Sequence, residues 1–189
     1  MNDDSSHNRI VILGSTGSIG TSCLEVVEGL GNNMEVLGLT AHTSWRELAA
    51  QSRKFRPRWS VLSDERIRSR VETAEFGSDT ELCFGTDAIE DVAAADEADV
   101  VICGIVGVAG LRGVSAAISA GKRVGIANKE PLVMAGGLMM KAAAEHGATI
   151  IPVDSEHSAI YQAMKSGHPS EVKRVVLTAS GGPFRGWTR

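Results

Sequence analysis

Aromatic side chains are scarce here, with four Phe, three Trp and one Tyr in 189 residues. A protein that grips single-stranded nucleic acid needs ring faces on which bases stack, and this scarcity argues against that class. Positive charge is not in excess either. Nineteen Lys plus Arg against 23 Asp plus Glu leave a formal net charge of -4, so there is no basic surface to track a phosphate backbone and no nucleic-acid partner is expected. A small phosphorylated ligand stays open, because helix N-termini and a few local cations suffice for one. Cysteine is limited to Cys23, Cys83 and Cys103. They are odd in number, far apart and without a C-x-x-C pair, which excludes a disulfide framework or zinc pattern and leaves reduced, packed thiols. No apolar run reaches the length of a membrane span. The amino-terminal MNDDSSHNR has no apolar signal core and too many acids for a transit peptide. A cytoplasmic setting without a membrane partner is expected.

What the chain does have is glycine, 21 in all, beside 43% hydrophobic and 22% charged residues. That composition suits a globular α/β protein with many tight strand-to-helix turns. Strand-like runs recur at Arg9 to Leu13, Met34 to Leu39, Trp59 to Leu62, Leu82 to Phe84, Val100 to Cys103, Arg123 to Ala127 and Ala148 to Val153. Between them, apolar residues at three-and-four spacing predict helices over Ile19 to Leu30, Ser44 to Phe55, Asp64 to Ala74, Thr86 to Ala95, Leu111 to Ala120 and Pro131 to His146. Regular alternation of this kind means a Rossmann-like, doubly wound and mostly parallel sheet. After Val153 the pattern changes to a helix over Glu156 to Ser166, a turn at Gly167-His168-Pro169 and a strand over Val172 to Thr178. The expected organisation is a disordered polar stretch over 1–8, a Rossmann-like domain over 9–150, and over 151–189 the opening of a second, α+β domain, as in an N-terminal portion of something longer.

The most informative run is Pro152-Val153-Asp154-Ser155-Glu156-His157. If the preceding strand keeps its period of two, Asp154 and Glu156 point the same way just past its carboxyl end, where open α/β sheets place ligands. Paired hard oxygens favour Mg²⁺ or Mn²⁺. The alternative is a helix N-cap followed by an acidic first turn, with His157 structural rather than a third ligand. Gly14-Ser15-Thr16-Gly17-Ser18-Ile19-Gly20 follows the first strand and opens the first helix, the context in which backbone N–H groups hold a pyrophosphate. Its G-x-x-G-x-x-G spacing also fits a plain tight turn. At the end of the second strand no acid is present for a ribose 2′-hydroxyl, while His42, Thr43, Ser44 and Arg46 offer donors to a 2′-phosphate, favouring NADP over NAD. Ser44 as a helix cap is the other reading. Gly104 to Gly110 leaves room for a flat ring or is a packing turn. Asn128-Lys129-Glu130 precedes Pro131 at a helix start, either as a solvated pair or with Lys129 beside the cofactor cleft. Trp45, Trp59, Met134, Met139 and Met140 read as core or helix-packing residues rather than a cofactor box.

Together GSTGSIG at 14–20, ANKEPLV at 127–133, PVDSEHSAI at 152–160 and ASGGPFR at 179–185 closely resemble the 1-deoxy-D-xylulose 5-phosphate reductoisomerase family, in order and spacing, over nearly the whole chain. The resemblance implies NADPH and Mg²⁺ or Mn²⁺ as cofactors. It implies conversion of 1-deoxy-D-xylulose 5-phosphate to 2-C-methyl-D-erythritol 4-phosphate in non-mevalonate isoprenoid synthesis, by a homodimeric parent protein. Residue by residue it makes Thr16, Gly17, Ser18 and Ile19 pyrophosphate-side contacts, with Asn128 and Glu130 lining the NADPH site. Lys129 and Glu156 become catalytic; Lys129, Ser155, Glu156 and Ser180 contact substrate; Asp154 and Glu156 hold the metal. His42-Thr43-Ser44 stands where many members carry a Gly-Lys-Asn-like stretch, and Pro131 replaces a usual serine. The segment that supplies a third metal-binding glutamate in the family lies beyond residue 189, so these residues alone are expected to be inactive or nearly so. The alternatives are another NADP-dependent Rossmann oxidoreductase, of the dihydrodipicolinate reductase kind, or a non-catalytic NADPH-binding fragment.

Overall fold

The computed structural model describes residues 8–177 together with Gly181 and Gly186. Seven strands form one sheet in the order β4-β3-β2-β1-β5-β6-β7, and every pairing is parallel. They are β1 (Asn8–Leu13), β2 (Met34–Ala41), β3 (Trp59–Leu62), β4 (Glu81–Phe84), β5 (Val100–Cys103), β6 (Arg123–Ile126) and β7 (Thr149–Pro152). Helices α1 (Ser18–Leu30), α2 (Trp45–Phe55), α3 (Thr86–Ala94), α4 (Leu111–Ser119), α5 (Glu130–His146) and α6 (Ser155–Lys165) complete the described residues, along with short 3-10 segments.

The central strand shows why the sheet lies inside. Ile10 to Leu13 is an unbroken apolar run and all four side chains are buried, because a parallel strand covered on both faces has no wet side to furnish with polar residues. Its neighbours then divide between two cores. On one face Leu24, Val27, Trp45 and Leu48 from α1 and α2 pack against Ile10, Ile12 and Leu39. On the other, Ile89, Val92, Val114, Ile118 and Met139 from α3, α4 and α5 pack against Val11, Leu13, Val101 and Val124. Each fully buried Leu, Ile or Val contributes about 1.5–3 kcal/mol. This division of helices over two faces is the doubly wound, Rossmann-like arrangement that the β/α alternation predicts, and it is wholly parallel.

Four expectations need correction. The predicted helix over Asp64 to Ala74 is instead two 3-10 segments, Glu65–Arg70 and Thr73–Glu75. Charges at Glu65, Arg66, Arg68, Arg70 and Glu72 leave only Ile67 and Val71 to face the core, too little of a stripe for an α-helix. The predicted strand over Val172 to Thr178 is irregular from Val172 to Leu177, with no neighbouring strand among the described residues to take up its backbone groups. Helix α5 breaks at Ala135 (φ −136, ψ 16), just before Gly136-Gly137. Of the three methionines read as core or helix-packing residues, Met139 is buried whereas Met134 and Met140 are exposed. Trp45 is buried and Trp59 packs against the core as expected. All three cysteines are free, and burial pushes the Cys23 and Cys103 thiols up, which suits packing rather than nucleophilic chemistry. Among the described residues no helix is long and apolar enough to cross a membrane.

Candidate cofactor and substrate site

The strand order reverses direction at β1, which has β2 on one side and β5 on the other. Connections leave β1 and β5 towards opposite faces, and the crevice between their carboxyl ends is where such sheets bind ligands. Here it is a cavity of about 420 Å³ whose walls include Thr16, Gly17, His42, Ser63, Thr86 and Ile105.

The glycine turn fits a diphosphate. Gly14 has φ +81, and a Cβ on Gly20 would lie 2.4 Å from Gly14 O and from Ser15 Cα, so helix α1 presses directly on the turn before it. Gly17 is the N-cap of α1, no side chain caps the helix, and its first turn carries no acid. The opening N–H groups of Ser18, Ile19 and Gly20 have no intrahelical acceptor and point out with the positive end of the helix dipole. The turn is held rigidly. Gly14 N donates to Thr40 Oγ1 at 3.0 Å, and Ser15 N donates to Thr40 O at 2.8 Å. Ser15 Oγ donates to Gln51 Oε1 at 2.7 Å while Gln51 Nε2 donates to Ser15 O at 2.9 Å. Thr40, Gln51, Ser63 and Thr86 were not singled out from the sequence. Ser63 and Thr86 could have been, since Ser63 directly follows β3 and Thr86 lies two residues beyond β4. Gln51, 36 residues from Ser15, left no local signal.

Along the β2 side, His42 Nδ1 lies 2.8 Å from Ser63 Oγ. Ser44 occupies the N-cap of α2 but makes no side-chain capping bond. Thr43 and Ser44 open onto a second cavity of about 770 Å³, together with Arg46, Asp64, Arg66 and Arg70. The Arg66 side chain beside Asp64 holds that carboxyl down to about 2.

Along the other side, Asn128 Nδ2 donates to Ile105 O, which ties the start of α5 to the cavity wall. Lys129 is the exposed N-cap of α5, and Glu130 lies in its first turn. The next strand, β7, is paired in register with β6, and its carboxyl end delivers Asp154. Asp154 is the N-cap of α6. Its Oδ1 accepts from His157 N at 3.4 Å and lies 2.6 Å from His157 Nδ1. These two bonds hold the Asp154 carboxyl below its usual range, with the charge of Lys129 adding to the effect. The strand-period premise for Asp154 and Glu156 does not describe the chain, because α6 begins at Ser155 and a two-residue step in a helix turns by about 200°. Ser155 and Glu156 are exposed in that first turn. Among the described residues no group of three or more His, Cys, Asp or Glu side chains is gathered for a metal. Ser180 lies outside the described residues.

The family model for 1-deoxy-D-xylulose 5-phosphate reductoisomerase matches residues 10–136, and that for the C-terminal domain of the same enzyme matches residues 150–189. The reductoisomerase of Ralstonia pickettii is 48% identical over 184 residues, covering 94% of this chain and 46% of the relative. The solved reductoisomerase from Zymomonas mobilis in complex with NADPH superposes with a TM-score of 0.85 at 41% identity, covering 96% of this chain and 48% of that one. Another, solved with NADPH, fosmidomycin and magnesium, gives a TM-score of 0.76 at 40% identity, covering 82% and 38%. The chain thus spans about half the length of the curated relatives it matches. A glycine cradle at the switch point, an Asn-Lys-Glu helix start and an Asp-capped Ser-Glu-His turn on one sheet edge, matched by both family models, place this chain in the 1-deoxy-D-xylulose 5-phosphate reductoisomerase family.

Proposed function

We propose that the complete protein containing these residues is an NADPH-dependent, Mg²⁺- or Mn²⁺-dependent reductoisomerase that converts 1-deoxy-D-xylulose 5-phosphate to 2-C-methyl-D-erythritol 4-phosphate. The observation that carries this reading is the uncapped, acid-free start of α1 behind a turn that requires glycine at positions 14 and 20. It is what a dinucleotide diphosphate requires. In this reading Thr16, Gly17, Ser18 and Ile19 hold the pyrophosphate, His42, Thr43 and Ser44 flank the adenosine ribose, and Asn128 and Glu130 border the nicotinamide side. Lys129, exposed at the head of α5, offers its ammonium to a substrate oxygen. Ser155, Glu156 and Ser180 are further substrate contacts.

Asp154 and Glu156 supply oxygen donors for the metal, at the start of α6 just past the carboxyl end of β7. When bound, the metal supplies a Lewis acid and NADPH a hydride. Two carboxylates do not complete a site, so these 189 residues alone are expected to oxidise no NADPH with the sugar phosphate. The split into a cofactor domain over 9–150 and the start of a catalytic domain over 151–189, a homodimeric assembly and a cytoplasmic location are proposed on the family resemblance alone.

The test is a full-length version carrying Asp154→Asn or Glu156→Gln. Metal-dependent turnover should fall at least about a hundredfold, with NADPH affinity unchanged within about twofold. Turnover that survives either change removes that residue from the metal site.

A further inference from the structure

We propose that Arg46, Arg66 and Arg70 form the cationic wall that receives the 2′-phosphate of NADPH, with Arg66 as its anchored member. The proposal rests on the dinucleotide reading above and asks where the charge for that phosphate comes from. The β2–α2 loop does not supply it, for His42, Thr43 and Ser44 include no permanent cation. The cavity beside the loop does. Its walls carry Thr43, Ser44 and Arg46 from one side and Asp64, Arg66 and Arg70 from the 3-10 segment after β3 on the other. It adjoins the dinucleotide crevice directly, since His42 and Ser63 line that crevice and their chain neighbours Thr43 and Asp64 line this one.

Arg66 is held ready. Its Nε and Nη2 donate to the two carboxylate oxygens of Asp64, each at 2.8 Å, and its backbone N–H donates to Asp64 Oδ1 at 3.0 Å. The fork uses two of the five guanidinium N–H groups and leaves three for an incoming anion. The side chains are 86% and 9% exposed for Arg66 and Asp64 respectively. An entering phosphate therefore meets the guanidinium first, with the carboxylate behind it. Arg46 is fixed differently, by stacking its guanidinium 4.3 Å from the ring centroid of the buried Trp45. Asp64 and Glu47 also line the cavity and oppose an anion, but three guanidiniums against two carboxylates leave one positive charge in surplus. Arg68, between Arg66 and Arg70 in sequence, stacks 4.4 Å from the Phe84 centroid and does not line the cavity, which makes it the internal control.

The experiment is titration of the full 189-residue chain with NADPH and with NADH, followed by cofactor fluorescence, with circular dichroism to establish that each variant is folded. The wild type should prefer NADPH by about tenfold or more. Arg66→Gln and Arg46→Gln should each weaken NADPH by about tenfold, NADH changing by less than about twofold. Arg66→Lys should recover part of the loss, since it restores the charge without the fork, and Arg68→Gln should match the wild type. An NADPH preference that survives Arg66→Gln combined with Arg46→Gln overturns the proposal. So does equal affinity of the wild type for both cofactors, while leaving the dinucleotide site standing. Binding of neither overturns the dinucleotide reading and this proposal with it.

Discussion

Gly20 carries the tightest constraint in the cofactor turn. A Cβ there would lie 2.4 Å from Gly14 O and Ser15 Cα, both backbone atoms tied to β2 through Thr40, so nothing nearby can give way. Gly20→Ala should cost about 3 kcal/mol of stability. Gly17 differs: a Cβ there would sit 3.5 Å from Gly14 O, an ordinary contact, at φ −80. Gly17→Ala should change stability by less than about 0.5 kcal/mol and still weaken NADPH, because the added methyl stands in the proposed pyrophosphate site. Urea unfolding and NADPH titration of the two variants separate the effects, and wild-type stability in Gly20→Ala would falsify the packing account. The sequence displays all the glycines of this turn alike. Which one is dictated by contact became visible only when the turn was closed against its own helix. The same limit hid Thr40 and Gln51, whose partners are 26 and 36 residues away. By contrast Asn128 and Lys129 were legible as helix-start residues, since the polar-to-apolar step after a strand is local, whereas Asp154 offered the helix cap only as the alternative to a strand continuation. What each contacts was not.

Among the elements, legibility followed the amount of apolar surface per residue. The strands Trp59–Leu62 and Val100–Cys103 appear with the ends their sequences predict, because buried parallel strands are short, almost wholly apolar runs, broken here only by Ser60. The region after β3 failed because a helical spacing of two apolar residues is no stripe, and Val172 to Leu177 failed because a strand is a property of a pair. Helical glycines show the same dependence on surroundings. Gly113 in α4 faces Leu13 Cδ1 and Ile89 Cγ2, at 2.7 and 3.0 Å from where a Cβ would lie, whereas nothing lies within 4 Å of a Cβ on Gly137 in α5. Gly113→Ala should therefore destabilise by about 1–3 kcal/mol through overpacking. Gly137→Ala should stabilise by about 0.5–1 kcal/mol, by removing backbone freedom from the unfolded chain. Thermal melts of the two variants moving in the same direction would contradict this reading of the two helix faces.

At the scale of the whole molecule the two halves differ in how they treat apolar surface. Residues before Glu130 supply nearly all of the buried core, whereas among the described residues most of the large exposed hydrophobics fall between Val133 and Leu177, with Val133 81% and Leu138 74% exposed. Helix α6 buries no residue at all. An apolar side chain already in water has no transfer energy left to lose, so replacing it should leave stability unchanged. Val133→Lys and Leu138→Lys should each shift the unfolding free energy of this chain by less than about 0.5 kcal/mol. Val114→Ala, in the core beneath α4, should cost about 2–3 kcal/mol. Urea unfolding at two protein concentrations decides the matter. A loss above about 1 kcal/mol in either lysine variant, growing with protein concentration, would mean that a second copy covers this face in solution and that its exposure belongs to the single chain only. A loss independent of concentration would mean that α5 packs more closely against its own sheet than its geometry shows. The expected result, no loss in the lysine variants beside a clear loss in Val114→Ala, assigns the folding energy of these residues to the two cores around β1 and leaves the outer face of α5 without a part in it.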